Sequence, residues 1–249
     1  MALVRSALDG AVGSITLDRP EQRNAISHAM LGELMTALSS FAADPACRVV
    51  VMRAAGQDFC AGADVNELDR ARSEGSAVAY GRDLDEFLRA IVTCPVPIVA
   101  EVQGAALGGG CQLAVACDLA VAATTARFGI PSARLGVVIG SESIERLVRC
   151  VGPKRAGELL VAGRTISGEE AFAWGLACDA VEPEALAARS ARLAADIAEA
   201  APLSVRGSKQ GITGGAEFDG IATQALSSED LAEGIRAFRE RRSPAFRGR

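Results

Sequence analysis

Residues 104–118 read GAALGGGCQLAVACD, with three consecutive glycines opening a segment of helical spacing. A glycine run at a helix start implies that something approaches the backbone closely. Two phosphate-loop readings fail. No lysine follows for a Walker-type loop. In a dinucleotide fingerprint Gly108 and Gly110 would fill two positions, but Leu113 occupies the third. Close backbone packing remains, or a backbone N–H offered to a ligand atom. A helix N-terminus suits the second, because its first N–H groups are unpaired and its dipole end is positive.

A second segment points the same way. DFCAGADVNEL (58–68) follows the apolar run RVVVMRA (48–54) and contains a small-residue turn, AGAD, ahead of a helix. Two small-residue turns, each just after a buried strand, can present two N–H groups to one oxygen, which is how an oxyanion hole is built.

Outward from these turns the first half alternates strands and helices. VGSITL (12–17) and the apolar run after Cys47 read as strands, and residues 27–44 as an amphipathic helix capped by Ser27. A helix is expected over 76–93, then a strand within CPVPIVAEVQG entered past its prolines, then the helix CQLAVACD and the strand LAVAAT. The alternation predicts an α/β domain with largely parallel strands. The second half is helical. Helices are expected over 142–162, 167–176, 184–200, 203–213 and 218–239, with a short strand in CDAVEP. The expected division is a core over 1–195 and a helical region over 196–249.

The 249 residues are 49% apolar and 23% charged, ordinary for a soluble protein, and no apolar run is long enough to span a membrane. The net charge of −5 does not favour nucleic-acid binding. The N-terminus lacks the pattern of a secretory signal, so the expected compartment is cytoplasmic. Seven cysteines, an odd number without a CxxC spacing, read as small buried hydrophobes of a reducing compartment. The single histidine, His28, stands at a helix start, where an exposed first-turn residue is the natural reading; no metal site is expected. RAFRERRSPAFRGR (236–249) concentrates six arginines against one glutamate. It reads as a solvated basic tail, or as a clamp for a phosphorylated ligand or an acidic neighbour.

The chain resembles the crotonase, or enoyl-CoA hydratase/isomerase, superfamily. The resemblance rests on LDRPEQRNAI (17–26), FCAGADV (59–65), VPIVAEVQGAALGGGCQLAVACDLAVA (96–122), ARFGIPSARLGVV (126–138), ERLVRCVGPKRAGELLVAGRTISGEEAFAWGL (145–176) and AFRERRSPAFRGR (237–249), in the family's order and over nearly the whole length. It implies an α/β fold, a crotonase-like spiral of ββα units with a helical C-terminal region. It implies an acyl-CoA thioester as substrate or ligand, no other cofactor, and a homotrimer or a homohexamer built as a dimer of trimers through the C-terminal helices. It places the oxyanion donors on the backbone N–H groups of Ala63 and Gly109. The adenosine end of coenzyme A would lie near Gln22, Arg23, Ala25, Ala61, Asp64, Val65 and Asn66, with Arg241 as a further phosphate contact.

The resemblance also exposes a gap. The family's hydratases place one glutamate two residues after the glycine run and another after the proline of an FGxPE-like segment; here Gln112 and Ser132 stand there. Glutamine can hold a water but is no base near neutral pH. A positioned acid or base is worth about 10²–10⁴-fold, and an oxyanion donor about 10²–10³-fold. The second contribution is kept and the first is lost at both places. The segment VVIGSESIERL offers Glu142 and Glu145, on one face of a helix, as relocated acids; Ser141 as a cap with Glu142 in the first turn is the structural reading. Arg53, Glu101 and Asp118 read as structural. Two functions stay open: an enzyme of the family with altered proton chemistry and Glu142 as candidate base, or a non-catalytic acyl-CoA-binding protein serving a partner.

Overall fold

In the computed structural model, which describes residues 2–249, VGSITL forms β2 (Val12–Leu17), paired antiparallel with β1 (Val4–Asp9). Gly13, Ile15 and Leu17 point inward along β2, the alternation of a half-buried strand. Beyond it β3 (Val49–Ala54), β4 (Ile98–Val102), β6 (Leu119–Ala123) and β9 (Asp179–Val181) run parallel, completing a six-stranded sheet in the order β1-β2-β3-β4-β6-β9. The central strands are buried on both faces, which is why they read as apolar runs rather than alternating ones.

Ser27 caps α1 (His28–Ala43): its hydroxyl accepts the Met30 N–H at 3.1 Å. His28 is exposed, its Nδ1 3.0 Å from Asp83. α2 (Val65–Ser73) and α3 (Ala77–Thr93) follow β3. After β4 come β5 (Ala105–Leu107) and α4 (Gly109–Ala116), then β7 (Arg127–Gly129), α5 (Ser141–Leu160), β8 (Thr165–Ser167) and α6 (Gly168–Trp174). α5 breaks at Gly152, whose φ of 78° and ψ of 161° are not helical, directly before Pro153. α7 (Leu186–Glu199), α8 (Pro202–Thr213), α9 (Phe218–Leu226) and α10 (Glu229–Glu240) close the chain.

The spiral of ββα units with a helical C-terminal region is present, and three features differ from the sequence reading. Residues 218–239 form two helices, because the Ser228 hydroxyl accepts the Leu231 N–H at 3.1 Å and restarts the chain as α10. The boundary at 195 falls inside α7, which packs across β2, β3, β4 and β6 and keeps Ile197 and Ala198 against the core. α7 is tied there by the Ser190 hydroxyl, which donates to the buried Glu101 carboxylate on β4. A second sheet, β5-β7-β8, has three-residue strands too short to carry a periodic signal.

The C-terminal region is pinned by polar contacts. Lys209 on α8 is buried and donates to the carbonyls of Ile91 and Val96 and to Asp118 at 2.8–3.2 Å. Arg48 donates to the carbonyls of Ala198 and Phe246 at 3.0 and 2.7 Å. Asp230 accepts the N–H groups of Arg247 and Gly248, both at 2.7 Å. The basic tail is therefore folded onto α10, with Arg242 paired to Glu233 and Arg249 to Glu229. Five cysteines are buried; Cys150 and Cys178 are exposed.

Candidate functional site

The short strand β5 brings the two small-residue turns together. The Cys60 N–H donates to the Ala105 carbonyl at 2.8 Å, and the Leu107 N–H to the Cys60 carbonyl at 2.9 Å, so residues 59–61 lie along β5. β5 then ends in the glycine run, whose three members serve different needs. Gly108 has φ 52° and ψ −116°, a conformation closed to side-chain-bearing residues. Gly109 is the first residue of α4. Gly110 lies so close to residue 60 that a Cβ on it would fall 2.2 Å from the Cys60 carbonyl oxygen.

The turns abut. A Cβ on Gly62 would lie 3.6 Å from the Gly109 nitrogen, and one on Gly109 would lie 3.6 Å from the Ala63 nitrogen. On either side of Ala63 the backbone is paired: the Ile26 N–H donates to Gly62 and the Asp64 N–H to Ile26, each at 2.8 Å. The Ala63 and Gly109 N–H groups themselves donate to nothing among the described residues. Gly109 also carries the positive end of α4. Two free donors on abutting turns, one at a helix start, can hold a carbonyl oxygen as it gains negative charge.

Three side chains that the sequence reading did not single out hold this geometry. Asn24 is fully buried with φ 54°, a left-handed conformation that asparagine tolerates. Its amide oxygen accepts the Arg19 N–H, and its amide nitrogen donates to the carbonyls of Ala55 and Asp58, all at 2.8 Å. Tyr80, the only tyrosine, donates from α3 to the Ile26 carbonyl at 2.6 Å. Arg19 donates to Asp64 at 2.7 Å. Burial opposes ionisation of Asp64, but Arg19 and the N–H groups of Glu67 and Asn66 outweigh it and hold the carboxyl below the usual aspartate range. Asp64 is thus the cap of α2, and its charge is consumed within the fold. Asn24 and Arg19 lie in the motif quoted for the resemblance. Tyr80 had only its uniqueness to mark it.

Gln112 lies one helical turn beyond Gly109 on α4 and is 6% exposed. Its side-chain amide makes no hydrogen bond with the described residues. It is also not among the side-chain atoms sealed from solvent without a partner, so it faces space that solvent can reach. Ser132 is half-buried in the 3-10 turn Pro131–Leu135, and no described residue bonds its hydroxyl. Glu142 lies in the first turn of α5, half-exposed, 3.0 Å from Arg89 and 3.8 Å from Arg146. The hydrogen bond from Arg89 holds its carboxyl below the usual glutamate range. That environment suits a standing charge, not a group that picks up protons near neutral pH.

Gln22, Arg23 and Ala25 lie beside the second turn: the Ala61 N–H donates to the Arg23 carbonyl at 3.0 Å, and the Ala25 N–H to Gln22 at 3.0 Å. Arg23, at φ 53°, is fixed by an ion pair to Asp58 at 2.6 Å. Val65 and Asn66 are exposed at the start of α2. Gln22, Arg23 and Ala25 are thus tied to the AGAD turn that leads into Val65 and Asn66. Arg241 stands apart: it ends α10 in a left-handed conformation, φ 55°, and no hydrogen bond or ion pair joins it to these residues. Among the described residues no group of acidic, histidine and cysteine side chains could hold a metal ion, and no helix is long and apolar enough to cross a membrane.

Residues 8–249 match the family model for enoyl-CoA hydratase/isomerase. The human "enoyl-CoA hydratase domain-containing protein 2, mitochondrial" is 37% identical over 97% of this chain and 87% of its own length. The (E)-benzylidenesuccinyl-CoA hydratase of Thauera aromatica is 37% identical over 95% of this chain and 96% of its own. Among solved structures, an enoyl-CoA hydratase/carnithine racemase from Magnetospirillum magneticum superposes with a TM-score of 0.94 at 33% identity, covering 100% of this chain and 97% of that one.

Proposed function

The chain belongs to the enoyl-CoA hydratase/isomerase family, and from that premise we propose that it binds an acyl-CoA thioester and polarises the thioester carbonyl between the N–H groups of Ala63 and Gly109. The observation that carries this reading is the pair of unpaired donors on abutting turns. The segments that hold Gln22, Arg23, Ala25, Ala61, Asp64, Val65 and Asn66 would take the adenosine end. The exposed Gln22, Val65 and Asn66 and the fixed Arg23 suit a ligand that is largely phosphate and ribose. An oxygen held by two donors favours the enolate form of the thioester, so the reaction class is enolisation at the carbon next to the carbonyl: isomerisation or a related step. Hydration by two glutamates is not proposed, because Gln112 and Ser132 stand where they would act.

A second reading is favoured by the same two positions: an acyl-CoA-binding protein that keeps the thioester grip, transfers no proton and serves a partner. Either way, α8–α10 would form a contact between copies in a trimer or a dimer of trimers. Exposed Leu226, Leu231, Ile235 and Phe238 around a cleft of about 420 Å³ support that role, and Arg241 would then act at a neighbour's ligand.

Calorimetry with acyl-CoAs, alongside turnover of crotonyl-CoA and longer enoyl-CoAs, tests both readings. Binding with hydration far below that of a two-glutamate hydratase is expected. Hydration at that enzyme's level would overturn the claim that the water-adding route is lost. Binding without turnover of any thioester would select the second reading. A stable monomer by light scattering would remove the assembly.

A further inference from the structure

α3 is the helix that walls the paired donors. Its Leu84 lies against Gly109, where a Cβ would be 3.5 Å from Leu84 Cδ2, and Tyr80 one turn earlier holds the Ile26 carbonyl beside Ala63. The next residue, Asp85, turns towards the start of α5. A Cβ on Gly140, the residue just before α5, would fall 2.5 Å from both Asp85 carboxylate oxygens. Gly140 has φ −59° and ψ 145°, open to any residue, so the backbone does not require glycine there. The space favours it: a Cβ there would push the Asp85 carboxylate aside. This turn of α3 therefore meets the glycine run through Leu84 and the start of α5 through Asp85.

The charges around Asp85 are unequal in their pairing. On its own helix, Arg89 stands one turn away, but its guanidinium donates to Glu142 of α5 at 3.0 Å. Arg146 of α5 also faces Glu142. Glu86 adds a negative charge beside Arg89, and Arg149 a positive one beside Arg146. Asp85 makes no hydrogen bond or ion pair with the described residues and is half-buried. Burial pushes its carboxyl up, the Glu142 charge pushes it further, and Arg89 and Arg146 only partly oppose them. Two neighbouring carboxylates are therefore driven apart, one held ionised by arginine and one left able to exchange a proton, the arrangement that separates a standing charge from an acid or base.

We propose that Asp85 is the proton-transferring carboxylate of this site, and that Glu142 with Arg89 and Arg146 is the charged frame that keeps it unpaired. The proposal rests on the acyl-CoA reading above. An Asp85 oxygen takes the proton from the carbon next to the thioester carbonyl. The C–H bond breaks and an O–H bond forms on Asp85. The released pair becomes the C1–C2 double bond, and the carbonyl pair moves onto the oxygen held by Ala63 and Gly109. Return of the proton to the same carbon restores the thioester; in an enoyl chain, delivery two carbons further on shifts the double bond. No co-reactant is needed.

Deuterium uptake from D2O at the carbon next to the carbonyl of butyryl-CoA, read by mass spectrometry, tests this, with affinity measured in parallel by calorimetry. The wild-type protein is expected to bind and to exchange. Asp85→Asn is expected to bind within a few-fold of wild type, to unfold no earlier, and to lose exchange by about 10²-fold or more. Asp85→Glu should restore part of it. Glu142→Gln frees Arg89 and Arg146 to pair with Asp85, so the pH midpoint of exchange should move down while exchange persists. Undiminished exchange in Asp85→Asn, or an unmoved pH midpoint in Glu142→Gln, would overturn the assignment. Wild-type binding without exchange would overturn it and leave the binding reading intact. Absence of binding would remove both.

Discussion

Gly110 faces the carbonyl of Cys60 so closely that a single added methyl would sit 2.2 Å from that oxygen and 2.9 Å from its carbon. Both partners are backbone, held by the pairing of residue 60 with β5, so neither can swing aside. Gly110→Ala must part the two turns. The loss of stability should exceed the roughly 1–3 kcal/mol usual for an overpacked core. Acyl-CoA affinity should fall with it, since the Ala63 and Gly109 donors ride on the same two turns. Chemical denaturation and calorimetry check both outcomes.

Gly32 is the contrasting case. It lies within α1, exposed, with an ordinary helical φ, and a methyl added there would meet nothing within 4 Å. Gly32→Ala should raise stability by about 0.5–1 kcal/mol, because alanine loses less backbone entropy on entering a helix. A thermal melt reads the change, and ligand affinity should not move.

Tyr80 ties α3 to the strand-like segment beside Ala63 through one hydrogen bond of 2.6 Å to the Ile26 carbonyl. Tyr80→Phe keeps the ring packing and leaves that buried carbonyl with the Asp64 N–H as its one donor. The expected cost is about 1–2 kcal/mol of stability. A further sign would be a larger relative loss of acyl-CoA affinity than of melting temperature, because the carbonyl belongs to the segment that positions Ala63. Equal affinity in the variant would show that Tyr80 only packs.

Lys209 crosses from α8 to the end of α3, the loop before β4, and Asp118, with 4% of its side chain exposed. Lys209→Met would leave Asp118 facing a buried space with no cation and would take one donor each from the Ile91 and Val96 carbonyls. Removing one partner of a buried pair costs about 3–5 kcal/mol, and unfolding in urea should show a loss in that range. The C-terminal helices should become more open to protease, since this side chain is one of their few polar anchors to the core.

Glu233 governs the tail. Arg242 and the Ala245 N–H hold its carboxyl down, to about 2 from an ordinary 4.5. The folded value lies below the unfolded one. The stabilisation is therefore present above pH 4.5 and is lost as pH falls through about 2. Between those values residues 242–247 should detach from α10, visible as a shift of the Ala245 amide resonance. Glu233→Gln should remove that transition and loosen the tail at neutral pH.

The two turns were legible as residues. AGAD and GGG each follow an apolar run, and spacing alone places a free N–H at Gly109 by setting it at a helix start. That Gln112 and Ser132 carry no carboxylate was legible too, because both are chemical identities, readable without coordinates. The helix over 27–44 showed its cap, and the doubly buried strands showed their apolar runs. Three-residue strands such as β5 were not legible. They carry no period, and their partners lie tens of residues away in the chain.

The sequence by itself determined the family, the sheet-and-helix alternation and the identities of Gln112 and Ser132 within its motifs, since motif, period and side-chain identity are local properties. Only the tertiary structure decided which carboxylates are free. Glu142 looked available in sequence and is bound by Arg89, 53 residues away; Asp85 looked like one more charge on a helix and stands unpaired against Gly140. A carboxylate's readiness to take a proton is set by burial and by the charges across the fold, and those exist only once α3 and α5 have packed.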